Sequence, residues 1–123
     1  MVIPHLHFCG DCKEAIALYE RAFHTRAEHI ECGADGQRVA HASMRMQGQL
    51  VYLNDRFGNE DRTLDCAVHM IVTFETVDQL RACLSILQQG GREVDAFHQT
   101  PYSRLCGNVM DKFGVLWGLM VDP

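Results

Sequence analysis

The chain has 123 residues and a mass of 13.9 kDa, which excludes a multidomain architecture and leaves one compact domain or two half-sized modules sharing a core. A hydrophobic fraction of 47% is enough to fill that interior without disulfide staples. Lys and Arg number 11 against 16 Asp and Glu, and this net charge of −5 is spread along the chain with no basic patch, which argues against a nucleic-acid or anionic-membrane partner. No run approaches the roughly 20 apolar residues of a membrane helix. Met1 to His5 lacks the basic start and apolar core of a secretory signal, so a soluble, cytoplasmic protein is expected. The six cysteines (9, 12, 32, 66, 83 and 106) are then expected to stay reduced, most of them as small core residues.

Residues 2 to 9 alternate, with Val2, Pro4, Leu6 and Phe8 on one side and Ile3, His5, His7 and Cys9 on the other, which predicts a strand. Gly10 breaks it. Asp11 to Glu14 fits a helix N-cap whose carboxylate accepts from the Glu14 amide, and a helix should follow to about Phe23. Its apolar positions Cys12, Ala15, Ile16, Tyr19 and Phe23 form one buried stripe, leaving Lys13, Glu20 and Arg21 in water. Strands are predicted at Arg26 to Glu31, Arg38 to Met46 and Gln49 to Asp55, separated by turns at Cys32 to Gly36 and Gln47-Gly48. Arg56 to Asp65 reads as a polar connector. The order then restarts: a strand from Ala67 to Glu75, with Val68, Met70, Val72 and Phe74 on one face, runs into Thr76-Val77-Asp78-Gln79, a capping box opening a second helix. That helix carries a Leu80, Cys83, Leu84, Leu87 stripe and should stop at Gly90-Gly91, followed by strands at Arg92 to Phe97, Leu105 to Asp111 and Val115 to Val121.

Both halves therefore read β-α-β-β-β, and positions correspond: Ile16/Leu80, Tyr19/Cys83 and Phe23/Leu87 lie 64 apart, and Gly48/Gly114, Leu50/Leu116 and Leu53/Leu119 lie 66 apart. The expected class is α+β, with module one at 1–55, a linker at 56–65 and module two at 66–123 in a single domain. A four-stranded sheet with one helix leaves its other face uncovered. Pairing two modules, within or between chains, would close a curved mixed sheet around a cavity, and a homodimer is expected.

This duplication resembles the vicinal oxygen chelate superfamily, which includes glyoxalase I, the bleomycin-resistance proteins and extradiol dioxygenases. Pro4-His5-Leu6-His7-Phe8-Cys9-Gly10-Asp11-Cys12 with Ala15-Ile16 and Tyr19, Val39-Ala40-His41-Ala42 with Gly48 and Asn54-Asp55, and Val109-Met110-Asp111-Lys112-Phe113-Gly114-Val115-Leu116-Trp117 resemble its PhnB-like branch over nearly the whole chain. That branch has also carried a demethylubiquinone methyltransferase label. No stretch here resembles the glycine-rich strand-to-helix turn of a Rossmann-type methyltransferase, so that activity is not expected.

The resemblance implies four metal ligands, two from each module, on first and last strands. His69 fits the second-module histidine position, and an offset of 64 carries it back to His5, with Pro4 or His7 as the alternative registers of the first strand. The last-strand positions, usually glutamate, fall at Tyr52 and Gly118. His5, His7 and His69 are thus the candidate metal residues, for zinc, nickel, manganese or iron, in a centre that has lost both carboxylates. Small-molecule binding is expected of His41, Ser43 and Arg45, which alternate on one strand face, of Tyr52, and of His98, Gln99, Tyr102 and Arg104 in the loop before the seventh strand. Two functions follow. One is a binding protein, metal-free or weakly metal-binding, that takes up a small molecule. The other is a divalent-metal enzyme, of lyase, isomerase or dioxygenase type, that polarises adjacent oxygens of its substrate. A more remote third is thiol redox chemistry at Cys9-Gly10-Asp11-Cys12.

Overall fold

The computed structural model describes residues 1–56 and 69–123. It divides into two compact units, Met1–Arg62 and Thr63–Pro123. The expected connector beyond Arg56, and the expected strand residues Ala67 and Val68, lie outside the described residues. Each unit is a four-stranded mixed sheet with one helix, in the β-α-β-β-β order that the sequence predicts.

In the first unit the elements are β1 (His5–Phe8), α1 (Cys12–Ala22), β2 (Ala27–Cys32), β3 (Val39–Met46) and β4 (Gln49–Asp55), with spatial order β1-β4-β3-β2. β1 runs parallel to β4, pairing His5 with Tyr52 and His7 with Asn54, and the other pairs are antiparallel. β1 is shorter than the alternation predicts because Pro4 has no N–H to extend the ladder; its carbonyl still accepts from the Tyr52 amide at 2.9 Å. The Gln47-Gly48 turn has φ of +51° and +83°, the pair of left-handed residues that a two-residue hairpin requires.

α1 buries Cys12, Ala15, Ile16, Leu18, Tyr19 and Ala22 against the sheet face carrying Ala42, Met44, Val51 and Leu53. Glu20 is half-buried rather than fully wet, and its carboxylate accepts from the Ala27 amide at 2.9 Å. The cap also differs from expectation. Asp11 makes no side-chain cap hydrogen bond to the helix, and Asp55, buried at the end of β4, accepts from the Gly10 and Cys12 amides at 2.7 and 3.1 Å. Its second oxygen accepts from the Val39 amide at 2.9 Å, so one carboxylate ties the start of α1 to the start of β3.

The second unit comprises β5 (Met70–Phe74), α2 (Val77–Leu87), β6 (Arg92–Thr100), β7 (Ser103–Met110) and β8 (Leu116–Val121), ordered β5-β8-β7-β6, with β5 parallel to β8. The Thr76/Gln79 capping box forms in both directions, at 3.1 and 3.3 Å. Leu80, Cys83, Leu84 and Leu87 are buried as predicted, and Gly90 follows the helix at φ +73°. A Cβ at Gly91 would lie 2.2 Å from the Met110 carbonyl oxygen, so this close approach of backbone to backbone requires glycine.

β6 is longer than expected and the loop before β7 shrinks to Pro101-Tyr102. His98 and Gln99 therefore stand on β6 and Arg104 on β7, and only Tyr102 is in a turn. Register shifts between Glu93 and Asp95, Asp95 and His98, and His98 and Thr100 break the two-residue period along β6, which hides the last three residues of the strand from a reading of alternation.

The ladders also revise the internal correspondence. His5 faces Tyr52 on β4, and Ile71 faces Gly118 on β8, so the first strands match with an offset of 66 and His69 falls one residue before β5. The loop from Phe8 to Cys12 holds three residues and that from Phe74 to Val77 only two, which reduces the offset at the helix starts to 65. Among the described residues no helix is long and apolar enough to cross a membrane.

Candidate functional site

In the first unit the sheet face opposite α1 carries the polar half of every alternation. His5 and His7 on β1, Tyr52 and Asn54 on β4, and His41, Ser43 and Arg45 on β3 share it. The rings of His5 and His7 are 4.3 Å apart, His41 lies 4.7 Å from Tyr52 and 6.5 Å from His5, and Tyr52 lies 6.0 Å from His5. His29 on β2, missed by the sequence reading, is 6.2 Å from His41; the Ala27, His29, Glu31 alternation was the signal. The His7 Nδ1 is 2.6 Å from Asn54 Oδ1, an acceptor, so in the neutral imidazole the proton is on Nδ1 and Nε2 is an acceptor. Arg45 is occupied elsewhere on this face, pairing with Glu28 at 3.1 Å and donating to the Gly48 carbonyl at 3.1 Å.

Burial, and then repulsion from charge on His7 and His41, hold the His5 pKa below the ordinary histidine value. Because the unfolded chain keeps the ordinary value of about 6.5, this group favours the folded state above that pH and the contribution is lost as pH falls through the lowered pKa. In an NMR titration of the imidazole Cε1 protons, His5 should titrate below 6.5 and move upward in His7→Asn and in His41→Asn. An unchanged His5 midpoint in both variants contradicts electrostatic coupling across this face.

The second unit holds a pocket of about 280 Å³ on its own sheet. Its floor is Gly118 on β8. A Cβ there would sit 3.0 Å from Asn108 Oδ1 and 3.3 Å from the His69 ring, so the asparagine amide and the imidazole close over the space that a last-strand side chain would take. Asn108 donates from Nδ2 to Asp95 Oδ2 at 2.6 Å. Ile71 and Met120 supply apolar wall, and His98, Tyr102 and Cys106 line the remainder. Of the residues expected to bind ligand in this half, His98 and Tyr102 reach the pocket. Gln99 and Arg104 do not line it: Arg104 donates to the Asp122 and Glu75 carbonyls at 2.7 and 2.6 Å. Asp95, Asn108 and Cys106 went unnoticed in the sequence because β6 lacks a clean period and one face of β7, Arg104, Cys106, Asn108 and Met110, mixes polar with apolar residues.

The donor set can be tested against the metal centre that the resemblance implies. His5 and His7 belong to the first unit and His69 to the second, and the last-strand positions offer a phenol and a glycine. Among the described residues no three His, Cys, Asp or Glu side chains come together in a geometry able to hold an ion. This set does not fit a centre of two histidines and two carboxylates. In the Cys9-Cys12 pair, Cys12 is fully buried, and burial, with the Asp55 and Asp11 charges, pushes its pKa up to about 12, so this thiol is a poor nucleophile at neutral pH.

Comparison with known proteins agrees with this architecture. Residues 1–120 match the family model described as 3-demethylubiquinone-9 3-methyltransferase. The chain is 24% identical to Protein YjdN of Escherichia coli strain K12, over 96% of this chain and 92% of that protein. Among solved structures, the PhnB protein of Bacillus cereus superposes with a TM-score of 0.88 at 26% identity, covering 98% of both chains. A glyoxylase/bleomycin resistance protein/dioxygenase domain from Frankia superposes at 0.77 with 12% identity over 100% of this chain and 97% of that one, a likeness of fold. Two β-α-β-β-β units, the first-strand histidines and the Asp111-to-Trp117 block thus go with a family match over nearly the full length: the chain belongs to the PhnB-like 3-demethylubiquinone-9 3-methyltransferase family, within the vicinal oxygen chelate fold.

Proposed function

We propose that this protein binds a small molecule on the sheet face of its second unit, and that it does so without a resident metal or with only weak metal affinity. The observation that carries this reading is the pocket over Gly118: the position that would offer a carboxylate has no side chain, and the space is shaped by His69, Asn108 and apolar wall. The methyltransferase activity in the family description is set aside on topology. Each sheet has one parallel pair and one helix, unlike the doubly wound parallel sheet with a glycine-rich first turn that binds nucleotide-like cofactors. A divalent-metal enzyme is the second reading, and the 4.3 Å approach of His5 to His7 is what favours it.

A thermal-shift screen of small molecules, with metal analysis of untagged protein, tests both. A ligand at a hundred times its Kd should stabilise the native state by about 2.7 kcal/mol and raise the Tm by about 10 °C. The shift should survive chelator treatment and diminish in His69→Ala. Stoichiometric metal in the wild type, lost in His5→Ala, with a ligand shift that chelator abolishes, would favour the enzyme instead.

A further inference from the structure

We infer that the pocket of the second unit selects ligands bearing a protonated basic nitrogen, an ammonium, amidinium or guanidinium group, on a compact apolar body. This rests on the binding function proposed above and specifies its ligand class.

Asn108, His98 and Asp95 present acceptors to the pocket, beside the His69 ring and the Tyr102 hydroxyl, which can also donate. Asn108 donates from Nδ2 to Asp95 Oδ2 at 2.6 Å, and its Oδ1, an acceptor, lies over Gly118. His98 Nδ1 lies 2.8 Å from the Ala96 carbonyl, which can only accept, so in the neutral imidazole the proton is on Nδ1 and Nε2 is an acceptor. Asp95 brings a carboxylate, and among the described residues it accepts one hydrogen bond, through Oδ2. Among the described residues no Lys or Arg lines the pocket. Arg104, the cation expected there from sequence, has its guanidinium turned to the Asp122 and Glu75 carbonyls.

A ligand that offers donors matches these acceptors, and a positive charge gains from the Asp95 carboxylate while an anion is repelled by it. The 64%-exposed Tyr102 at the mouth adds an aromatic face that attracts a cation. Ile71 and Met120 set the need for an apolar body, and about 280 Å³, at the small end for ligand pockets, sets its size.

Three probes of one shape, benzylamine, benzyl alcohol and benzoate, titrated at pH 7.5 into isotope-labelled full-length protein, test the inference by two-dimensional NMR. Benzylamine should shift the amide resonances of Ile71, Cys106 and Met120, benzyl alcohol should bind at least tenfold more weakly, and benzoate should leave them in place. Asp95→Asn, which keeps the shape and removes the charge, should weaken benzylamine at least tenfold. Benzoate binding as tightly as benzylamine, or undiminished benzylamine binding to Asp95→Asn, would overturn the ligand class. If all three probes perturb the pocket alike, the class fails and the binding function stands. If neither they nor a diverse fragment set perturbs it, both fall.

Discussion

Asp111→Ala is expected to lower the stability of the second unit by about 3 to 5 kcal/mol, seen as a fall of roughly 10 to 20 °C in the Tm. The Asp111 side chain is 2% exposed and accepts from three donors: the Phe113 and Val115 amides at 2.9 and 3.0 Å through Oδ1, and the Trp117 indole N–H at 2.9 Å through Oδ2. Removing it leaves buried donors without an acceptor, and each costs about 1 to 3 kcal/mol. Trp117 is the sole tryptophan and fully buried, so its fluorescence reports unfolding of this unit directly. Asp111→Asn should recover little, because both oxygens are in use and one of them would become an NH2 facing either amides or indole. The indole contribution separates in a double-mutant cycle: with Trp117→Phe in place, Asp111→Asn should cost less than it does alone. Additive losses would mean that the indole bond contributes nothing to stability. The Asp-Lys-Phe-Gly-Val-x-Trp block, the most specific part of the family resemblance, is on this account a device for turning the chain between β7 and β8.

The fold was legible in the sequence wherever one local rule determined the outcome. β4 runs from Gln49 to Asp55 as the alternation predicts, the Gln47-Gly48 turn takes the left-handed pair, and Thr76 and Gln79 cap α2 reciprocally. Local rules failed where a distant residue took over. Asp11 has the chemistry of an N-cap, but Asp55, 43 residues beyond Cys12, supplies the bond, and no spacing rule relates them. The same limit applies to function. His41, Ser43 and Arg45 were placed together because strand alternation is a strict period, and they do share a face with His5, His7 and Tyr52. Asp95, Asn108 and Gly118 meet only through the β6–β7–β8 pairing, and the bulges of β6 erased the period that could have announced it. Equating His5 with His69 failed for a related reason: a helix offset was carried into a strand across loops of unequal length.

Asp55→Ala should have a comparable effect on the first unit, about 3 to 5 kcal/mol, followed by far-UV circular dichroism because Trp117 lies in the other unit. The fully buried carboxylate accepts from the Gly10, Cys12 and Val39 amides, joining the exit of β1, the start of α1 and the start of β3. Asn at this position should again rescue poorly, since the Val39 amide uses Oδ2 while the other two use Oδ1. A second readout separates loss of this carboxylate from general loosening. Burial first, and then the Asp55 charge, hold the Cys12 thiol near 12, so at pH 8 only about one molecule in ten thousand carries the thiolate. In the wild type, iodoacetamide should modify the exposed Cys32 and spare Cys12. In Asp55→Ala the charge is gone and the start of α1 opens, so Cys12 should become reactive, while Cys83, on the buried face of α2 with its own pKa pushed up to about 12, stays protected. Simultaneous labelling of Cys12 and Cys83 would show that the substitution unfolds both units together, and an unreactive Cys12 would mean that burial alone, without Asp55, suppresses this thiol.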